Sequence, residues 1–311
     1  MNKLSTKHFI GLENATEKDI NLIIETALTF REILDRPIKK VPSLKGINIV
    51  NLFFENSTRT KLSFELAEKR LSADVLNFSG SSSSLNKGET FRDTVQNIQA
   101  MKIDCAVMRH PIPGSCKQLT RYLDCPIVNA GDGTHEHPTQ AMLDITTIFE
   151  KFGRVKDLKV AIVGDILHSR VAMSNIFGLQ KLGAEVMLCS PPHLIPKYIQ
   201  QFNVKISHSI DEALQWADVV NILRIQRERM GIGLIPSVRE YRNLFGVTKD
   251  RLKNLDKELV IMHPGPINRG VEVDSYVADS DQSVILNQVL NGVAVRMSIL
   301  YLLLGANNNE N

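Results

Sequence analysis

The chain has 311 residues, enough for two α/β domains with cores of their own, and its net charge of +3, with 23% charged and 43% hydrophobic residues, is ordinary for a soluble globular protein. Basic residues are spread rather than massed and aromatics are few, which argues against a nucleic-acid surface. The absence of any apolar run of about 18 residues, and of an apolar core in the start MNKLSTKHFIGLENATEKD, argues against a membrane span and a secretory signal. Cys105, Cys116, Cys125 and Cys189 form no CxxC pair and no zinc spacing, so they are expected to be buried free thiols in a cytoplasmic protein.

Helical and strand-like stretches alternate almost throughout, which predicts open, mainly parallel α/β sheets. The spacing predicts a first helix over Glu17–Leu34. The run Ile47–Phe54 reads as a mostly buried strand. Asn56-Ser57-Thr58 then offers N-cap chemistry to a helix whose apolar face would be Leu62, Leu66, Ala67 and Leu71. Ser57, Thr58, Arg59 and Thr60 therefore fall at a helix N-terminus just past the carboxyl end of a strand, where unpaired N–H groups and the helix dipole favour an anion. Three hydroxyls around one guanidinium exceed what capping needs, and the cluster reads as a phosphate cradle.

A short strand, Val75–Phe78, leads into SGSSSSLNKGE (79–89), by composition a flexible linker. Yet Lys87-Gly88-Glu89-Thr90 opens a helix over Thr90–Met101, which puts Lys87 on a loop placed to close on an anion. Strands follow at Ile103–Met108, ending in Arg109-His110-Pro111, and at Pro126–Asn129, ending in AGDGTHEHPTQ. Helix Thr139–Phe152 closes with Gly153, taken as the domain boundary. The second unit starts with DLKVAIVGD: strand Leu158–Val163, helix Val171–Leu182 and strand Glu185–Leu188 make a βαβ segment, and Asp218–Leu223 and Leu259–Met262 add strands. A final apolar helix, Val284–Leu304, is long enough to pack back across the first domain. The expected division is 1–152 with helix 284–304, against 153–283, with the active site in the cleft between two open α/β domains.

Polar groups recur where strands end: Arg109; then Thr134, His135, His137, Thr139 and Gln140; then Asp165, His168, Ser169 and Arg170; then Arg224, Gln226, Arg227 and Arg229; then His263, Pro264, Gly265 and Pro266. Open sheets bind ligands at this edge, and Arg59, Arg109, Arg170 and Arg224 at equivalent strand ends point to a polyanionic substrate. Two other readings compete. The HxH pair in THEHP is how many metallohydrolases hold a cation, although the later strand ends here carry arginines. VAIVGDILHSR suggests a dinucleotide turn, but it lacks GxGxxG, and the next strand ends in Cys189-Ser190-Pro191 with no ribose-binding acid. No nucleophile–base–orienter set and no carboxylate pair stand out, so the chemistry is expected to rest on positioning and charge stabilisation.

Together STRT with FE (57–60, 64–65), MRHP (108–111), HPTQ (137–140) and HPGP with NRG (263–266, 268–270) resemble the aspartate/ornithine carbamoyltransferase family, motifs in order over essentially the whole chain. The resemblance implies carbamoyl transfer from carbamoyl phosphate to L-aspartate, in pyrimidine biosynthesis, with no cofactor and no metal. By position it implies that Ser57, Thr58, Arg59, Thr60 and Arg109 hold carbamoyl phosphate, that His137 and Gln140 address its carbonyl and amide ends, and that Thr60, Arg109 and His137 stabilise the oxyanion, Arg59 serving with them in catalysis. Arg170, Arg224 and Gln226 are implied for the carboxylates of aspartate, with Lys87, Pro264 and Gly265 beside them. Ser83 (or Ser84) and Lys87 are implied to reach carbamoyl phosphate from a neighbouring subunit of a homotrimer. The ornithine-specific branch carries a cysteine in the HP-containing loop, where this chain has Met262-His263-Pro264-Gly265-Pro266. Gly265, where members with regulatory chains commonly have leucine, resembles members that work as bare trimers or with dihydroorotase. A non-catalytic scaffold is the alternative of another class.

Overall fold

The computed structural model describes residues 3–79, 90–225 and 237–305. The chain divides into two compact units, one formed by the residues up to Thr146 together with those from Leu290, the other by Thr147–Val289. Each is built on a parallel sheet flanked by helices, an α/β architecture.

In the first unit α1 (Glu17–Leu34) starts at Thr16, whose hydroxyl accepts the Asp19 N–H. Then come β1 (Asn48–Phe53), α2 (Thr58–Arg70), β2 (Asp74–Ser79), α3 (Phe91–Ala100), β3 (Cys105–His110), α4 (Ser115–Leu119), β4 (Ile127–Asp132) and α5 (Pro138–Phe152). The sheet order is β2-β1-β3-β4, all parallel. Mostly buried, β1, β3 and β4 read as apolar runs, while β2 at the edge is exposed or half-buried: Val50, Leu52, Ala106, Met108 and Ile127 pack with Val95, Ile98, Leu119 and Leu123 in one core cluster.

The second unit has β5 (Lys159–Val163), α6 (Arg170–Lys181), β6 (Glu185–Cys189), β7 (Lys205–Ser207), α7 (Ile210–Trp216), β8 (Val219–Ile222), α8 (Val238–Phe245), α9 (Lys249–Lys253), β9 (Val260–Met262) and α10 (Ser275–Ala278). Its sheet order is β7-β6-β5-β8-β9, again parallel. The last helix, α11 (Ile285–Leu304), is long and apolar enough to span a bilayer by composition, but 72% of that stretch is buried. Its Ser298 hydroxyl donates to the Ile23 carbonyl at 2.9 Å, and Tyr301 meets Phe30 edge-on at 5.6 Å, as befits a core helix.

Four expectations need correction. The apolar face of α2 is not the leucine stripe: Leu62 and Leu66 are 59% and 41% exposed, while Phe64, Ala67, Glu68 and Leu71 are buried. The helix is turned by two polar anchors that hydropathy does not count, since Asn51 Nδ2 donates to Glu68 Oε2 at 2.8 Å and the Arg296 guanidinium lies over the Phe64 ring. Ser57 occupies the N-cap position of α2, but its hydroxyl makes no capping bond. Arg109 and His110 lie within β3 rather than beyond it, because Phe53 pairs with Arg109 and the Phe54 N–H donates to the Arg109 carbonyl. Likewise β4 runs on to Asp132, which pairs with His110.

Candidate active site

Strand order decides which residues meet. In the first sheet the chain steps from β1 to β2 on one side and to β3 on the other, so the switch point lies between β1 and β3. Open α/β sheets bind ligands outside the carboxyl ends at such a point. Ser57, Thr58, Arg59 and Thr60 follow β1, and Arg109 is the penultimate residue of β3 beside it. Ser57 and Thr60 are half-buried, and Thr58 and Arg59 are exposed. With its hydroxyl not spent on a cap, Ser57 keeps a donor for a ligand. Arg109 is held in place: Nη1 donates to the Ala130 carbonyl at 3.3 Å and Nη2 pairs with Glu55 Oε1 at 3.2 Å.

The third strand in this row, β4, delivers the THEHPTQ turn, whose three charged or titratable side chains go to different partners. His135 Nδ1 lies 3.2 Å from Asp132 Oδ2, and that bond raises the His135 pKa. Burial pushes Asp132 up, but the bonds from His135, Asn129 and the Gly114 N–H outweigh it and leave its carboxyl below the ordinary range. Glu136 is fully buried and accepts the N–H groups of Leu12 (2.7 Å) and Glu13 (3.1 Å). His137, also buried, has Thr139 Oγ1 3.5 Å from its Nδ1. The HxH pair therefore does not converge on one point, and no group of three or more His, Cys, Asp or Glu among the described residues is arranged to hold a metal. Gln140, in the first turn of α5, donates from Nε2 to Asp144 Oδ1 at 3.0 Å, which orients the amide and leaves its oxygen to accept.

The second sheet repeats the device. Its switch point lies between β5 and β8, and the two arginines picked from the sequence follow those strands: Arg170 opens α6 after β5, and Arg224 follows β8. Arg170 is buried at the N-terminal turn that Ser169 caps, and Arg224 is half-buried. Just before them Asp165 takes both the N–H and Nδ1 of His168, the latter at 3.0 Å. Beyond β9, next in the sheet, Pro264 and Gly265 are half-buried, and Gly265 sits at φ 64°, a conformation that suits glycine. Ser83, Lys87 and Gln226 lie outside the described residues, as do Arg227 and Arg229.

The cysteines are no part of this chemistry. All four are free and buried, and burial pushes three of the thiols up: Cys105 well above its ordinary value, Cys125 to about 11 and Cys189 to about 12.

Several supporting residues escaped sequence reasoning. Asp144 had a signal, its i,i+4 spacing from Gln140 on one helix face. Arg296 had one too, as the lone cation in the apolar α11. Its Nη1 donates to Ser63 Oγ at 2.9 Å, and burial, with Arg109 nearby, lowers its pKa to about 9 against the opposing pull of Asp144. Glu55 carried no local signal, since it acts on Arg109, 54 residues along the chain, and Glu272 carried none because its partners, His263 and Asn268, meet it across an irregular turn with no period to read.

Comparison with known proteins gives this geometry a family. Residues 7–150 match the model described as the aspartate/ornithine carbamoyltransferase carbamoyl-P binding domain, and residues 156–303 match the Asp/Orn binding domain of the same family. An aspartate carbamoyltransferase catalytic subunit from Flavobacterium psychrophilum is 62% identical over 97% of this chain and 98% of its own length. Aspartate transcarbamoylase from Trypanosoma cruzi in complex with N-(phosphonacetyl)-L-aspartic acid superposes with a TM-score of 0.88 at 31% identity, covering 97% of each chain. The same T. cruzi enzyme in complex with carbamoyl phosphate and aspartate gives 0.87 at 30% identity, covering 97% of this chain and 98% of that one.

Proposed function

The chain belongs to the aspartate/ornithine carbamoyltransferase family, and from that premise we propose that it transfers the carbamoyl group of carbamoyl phosphate to the amine of L-aspartate, giving N-carbamoyl-L-aspartate and phosphate for pyrimidine biosynthesis. The observation that carries the choice of acceptor is the near-full-length identity to a catalytic subunit named for aspartate. The arginines at the second switch point support it, because a dicarboxylate needs cations and ornithine does not.

In this reading Ser57, Thr58, Arg59, Thr60 and Arg109 hold the phosphate of carbamoyl phosphate. His137 and Gln140 take its carbonyl and amide ends, and the bond from Gln140 Nε2 to Asp144 supports the amide oxygen as the acceptor of the carbamoyl N–H groups. Arg170, Arg224 and Gln226 take the aspartate carboxylates, with Pro264 and Gly265 beside them. Bringing two anions together is unfavourable by roughly 1 kcal/mol per close charge pair in water and by more once water is excluded. The arginines offset that repulsion. Thr60, Arg109 and His137 then stabilise the oxyanion of the tetrahedral intermediate, each donor worth about 3 kcal/mol in comparable sites. The departing phosphate takes the ammonium proton, so the step needs no protein base and forms no covalent enzyme intermediate.

The proposal extends to assembly: a cytoplasmic homotrimer in which Ser83 and Lys87 serve the neighbouring subunit's site. Gly265 favours a bare trimer, or one that associates with dihydroorotase, over one that binds regulatory chains. The test is ureido-product formation from carbamoyl phosphate, run with L-aspartate and with L-ornithine and no added metal. Product with aspartate alone is expected. Product with ornithine overturns the roles of Arg170 and Arg224, and silence with both, from folded protein, returns the chain to the scaffold reading.

A further inference from the structure

The turn after β9 takes its shape from one buried carboxylate. His263 and Glu272 are both buried, and His263 Nε2 lies 3.2 Å from Glu272 Oε1. The other ring nitrogen, Nδ1, accepts the Gly265 N–H at 2.7 Å. An imidazole nitrogen that accepts carries no proton, so His263 is the neutral Nε2–H tautomer and donates to Glu272. The same carboxylate oxygen accepts the Asn268 N–H at 2.5 Å. Glu272 thus holds the HPGPIN segment at both ends: at Gly265 through the imidazole, and at Asn268 directly.

The segment is anchored on either side. The His263 N–H donates to Gln288 Oε1 at 2.9 Å, and Asn268 Nδ2 donates to the carbonyl of Ile225, the residue after Arg224, at 3.2 Å. Glu272 itself cannot drift, because its carbonyl accepts the Val247 N–H at 3.0 Å while the Asp274 N–H donates to the Val247 carbonyl at 3.1 Å. The backbone of Pro264 and Gly265 is therefore locked to the strand end that carries Arg224.

We propose that Glu272 is the positioning residue of the amino-acid acceptor site, setting the turn at Pro264 and Gly265 against Arg224 through His263 and Asn268. The inference rests on the acceptor role proposed above for those three residues. A carboxylate suits this task better than a hydroxyl or an amide, because charged acceptors make the stronger hydrogen bonds. It acts on binding of the acceptor, and its hydrogen-bond partners among the described residues, His263, Asn268 and Val247, all belong to the second unit.

The experiment compares Glu272→Leu and Glu272→Gln in the full chain. The leucine removes both acceptor bonds, whereas the glutamine keeps an oxygen for both. Glu272→Leu is expected to raise KM for L-aspartate about tenfold, which corresponds to about 1.4 kcal/mol, with KM for carbamoyl phosphate unchanged within about twofold. Glu272→Gln is expected to restore most of the loss. Equal shifts in both KM values, or no shift in either, overturn the proposal. Should the leucine variant not fold, Asn268→Ala decides, since that side chain is half-buried and bonds Ile225: KM for aspartate must rise alone. The tautomer is read separately by ¹⁵N NMR of His263 in the unsubstituted protein, where a protonated Nδ1 overturns the proposal. That readout needs no turnover, so a wild-type protein inactive with aspartate sinks the proposed function without deciding this inference.

Discussion

Arg296 on α11 donates through Nη1 to Ser63 Oγ at 2.9 Å and to the Gly292 carbonyl at 2.7 Å, with its guanidinium 5.0 Å from the centre of the Phe64 ring. A cation from the last helix thus grips α2 one turn beyond Arg59 and Thr60. Glycine at 292 leaves the room, since a Cβ there would crowd Arg296 Nη1. Arg296→Met is expected to lower stability by about 2 to 4 kcal/mol, through the lost bonds and the uncompensated burial left behind. Urea unfolding measures this. Lysine should not rescue it, because one ammonium cannot reproduce a planar fork stacked on a ring. A lysine variant as stable as the parent would show that only the charge matters.

Gln140 and Asp144 make the second testable pair. With Nε2 committed to Asp144, the Gln140 amide has one orientation in which its oxygen faces outward as acceptor. Asp144→Ala releases the amide to flip, so KM for carbamoyl phosphate is expected to rise about three- to tenfold, the loss of roughly one hydrogen bond. KM for aspartate should hold. Steady-state kinetics with each substrate varied decides, and an unchanged KM for carbamoyl phosphate would remove Gln140 from the proposed ligand set.

How far the sequence reached follows from what each device depends on. Strands buried on both faces announce themselves as apolar runs, so the arginines and hydroxyls near their ends could be picked out to within a few residues, although β3 and β4 run on past the expected ends. Which ends are neighbours could not be read, because the orders β2-β1-β3-β4 and β7-β6-β5-β8-β9 exist only after folding. Short elements such as β7 and α9 fall below the length at which a period shows. The leucine stripe of α2 misled because Leu62 and Leu66 fit a helical face as well as Phe64 and Glu68 do, and the deciding contacts, Asn51 and Arg296, lie 17 and 233 residues away from their partners. The supporting carboxylate Glu55 stayed hidden for the same reason, 54 residues from Arg109, whereas Glu272 stayed hidden because the turn that brings it to His263 and Asn268 has no regular period.

The middle residue of THEHP is structural, and Gly11 reports on it. Glu136 receives the Leu12 and Glu13 N–H groups, so the N-terminal segment is pinned to the turn that presents His137. A Cβ at Gly11 would fall on the Glu136 carboxylate. Gly11→Ala is therefore expected to destabilise by about 1 to 3 kcal/mol, the range for overpacking a tight site. Thermal unfolding, scanned with and without added zinc, makes the check. A stable variant would show that the arm moves freely, and a zinc-dependent rise in Tm would revive the metal reading of the histidine pair.

Glu68 gives the chain a pH dependence of definite sign. Its carboxyl is fully buried against Asn51, and burial raises its pKa to about 8, outweighing that hydrogen bond, with Glu65 adding to the rise and Lys69 opposing it. In the unfolded chain a glutamate titrates near 4.3. Between those two values the folded state holds a proton that the unfolded state has released, so stability must fall as pH rises from about 4.3 toward 8. His135 acts in the same direction, because its raised pKa contributes stability that is lost as pH climbs through its folded value, and Asp132 acts only in acid. Glu68→Gln separates the contributions: the neutral amide keeps an oxygen for Asn51 Nδ2 and does not titrate. The variant should match the parent near pH 5 and exceed it at pH 8.5 by about 1 to 3 kcal/mol, the usual range for a buried polar group left uncompensated. Urea midpoints at the two pH values measure the difference. A gap between variant and parent that stays constant with pH would mean that Glu68 is ionised in the fold and that Asn51 alone carries its charge.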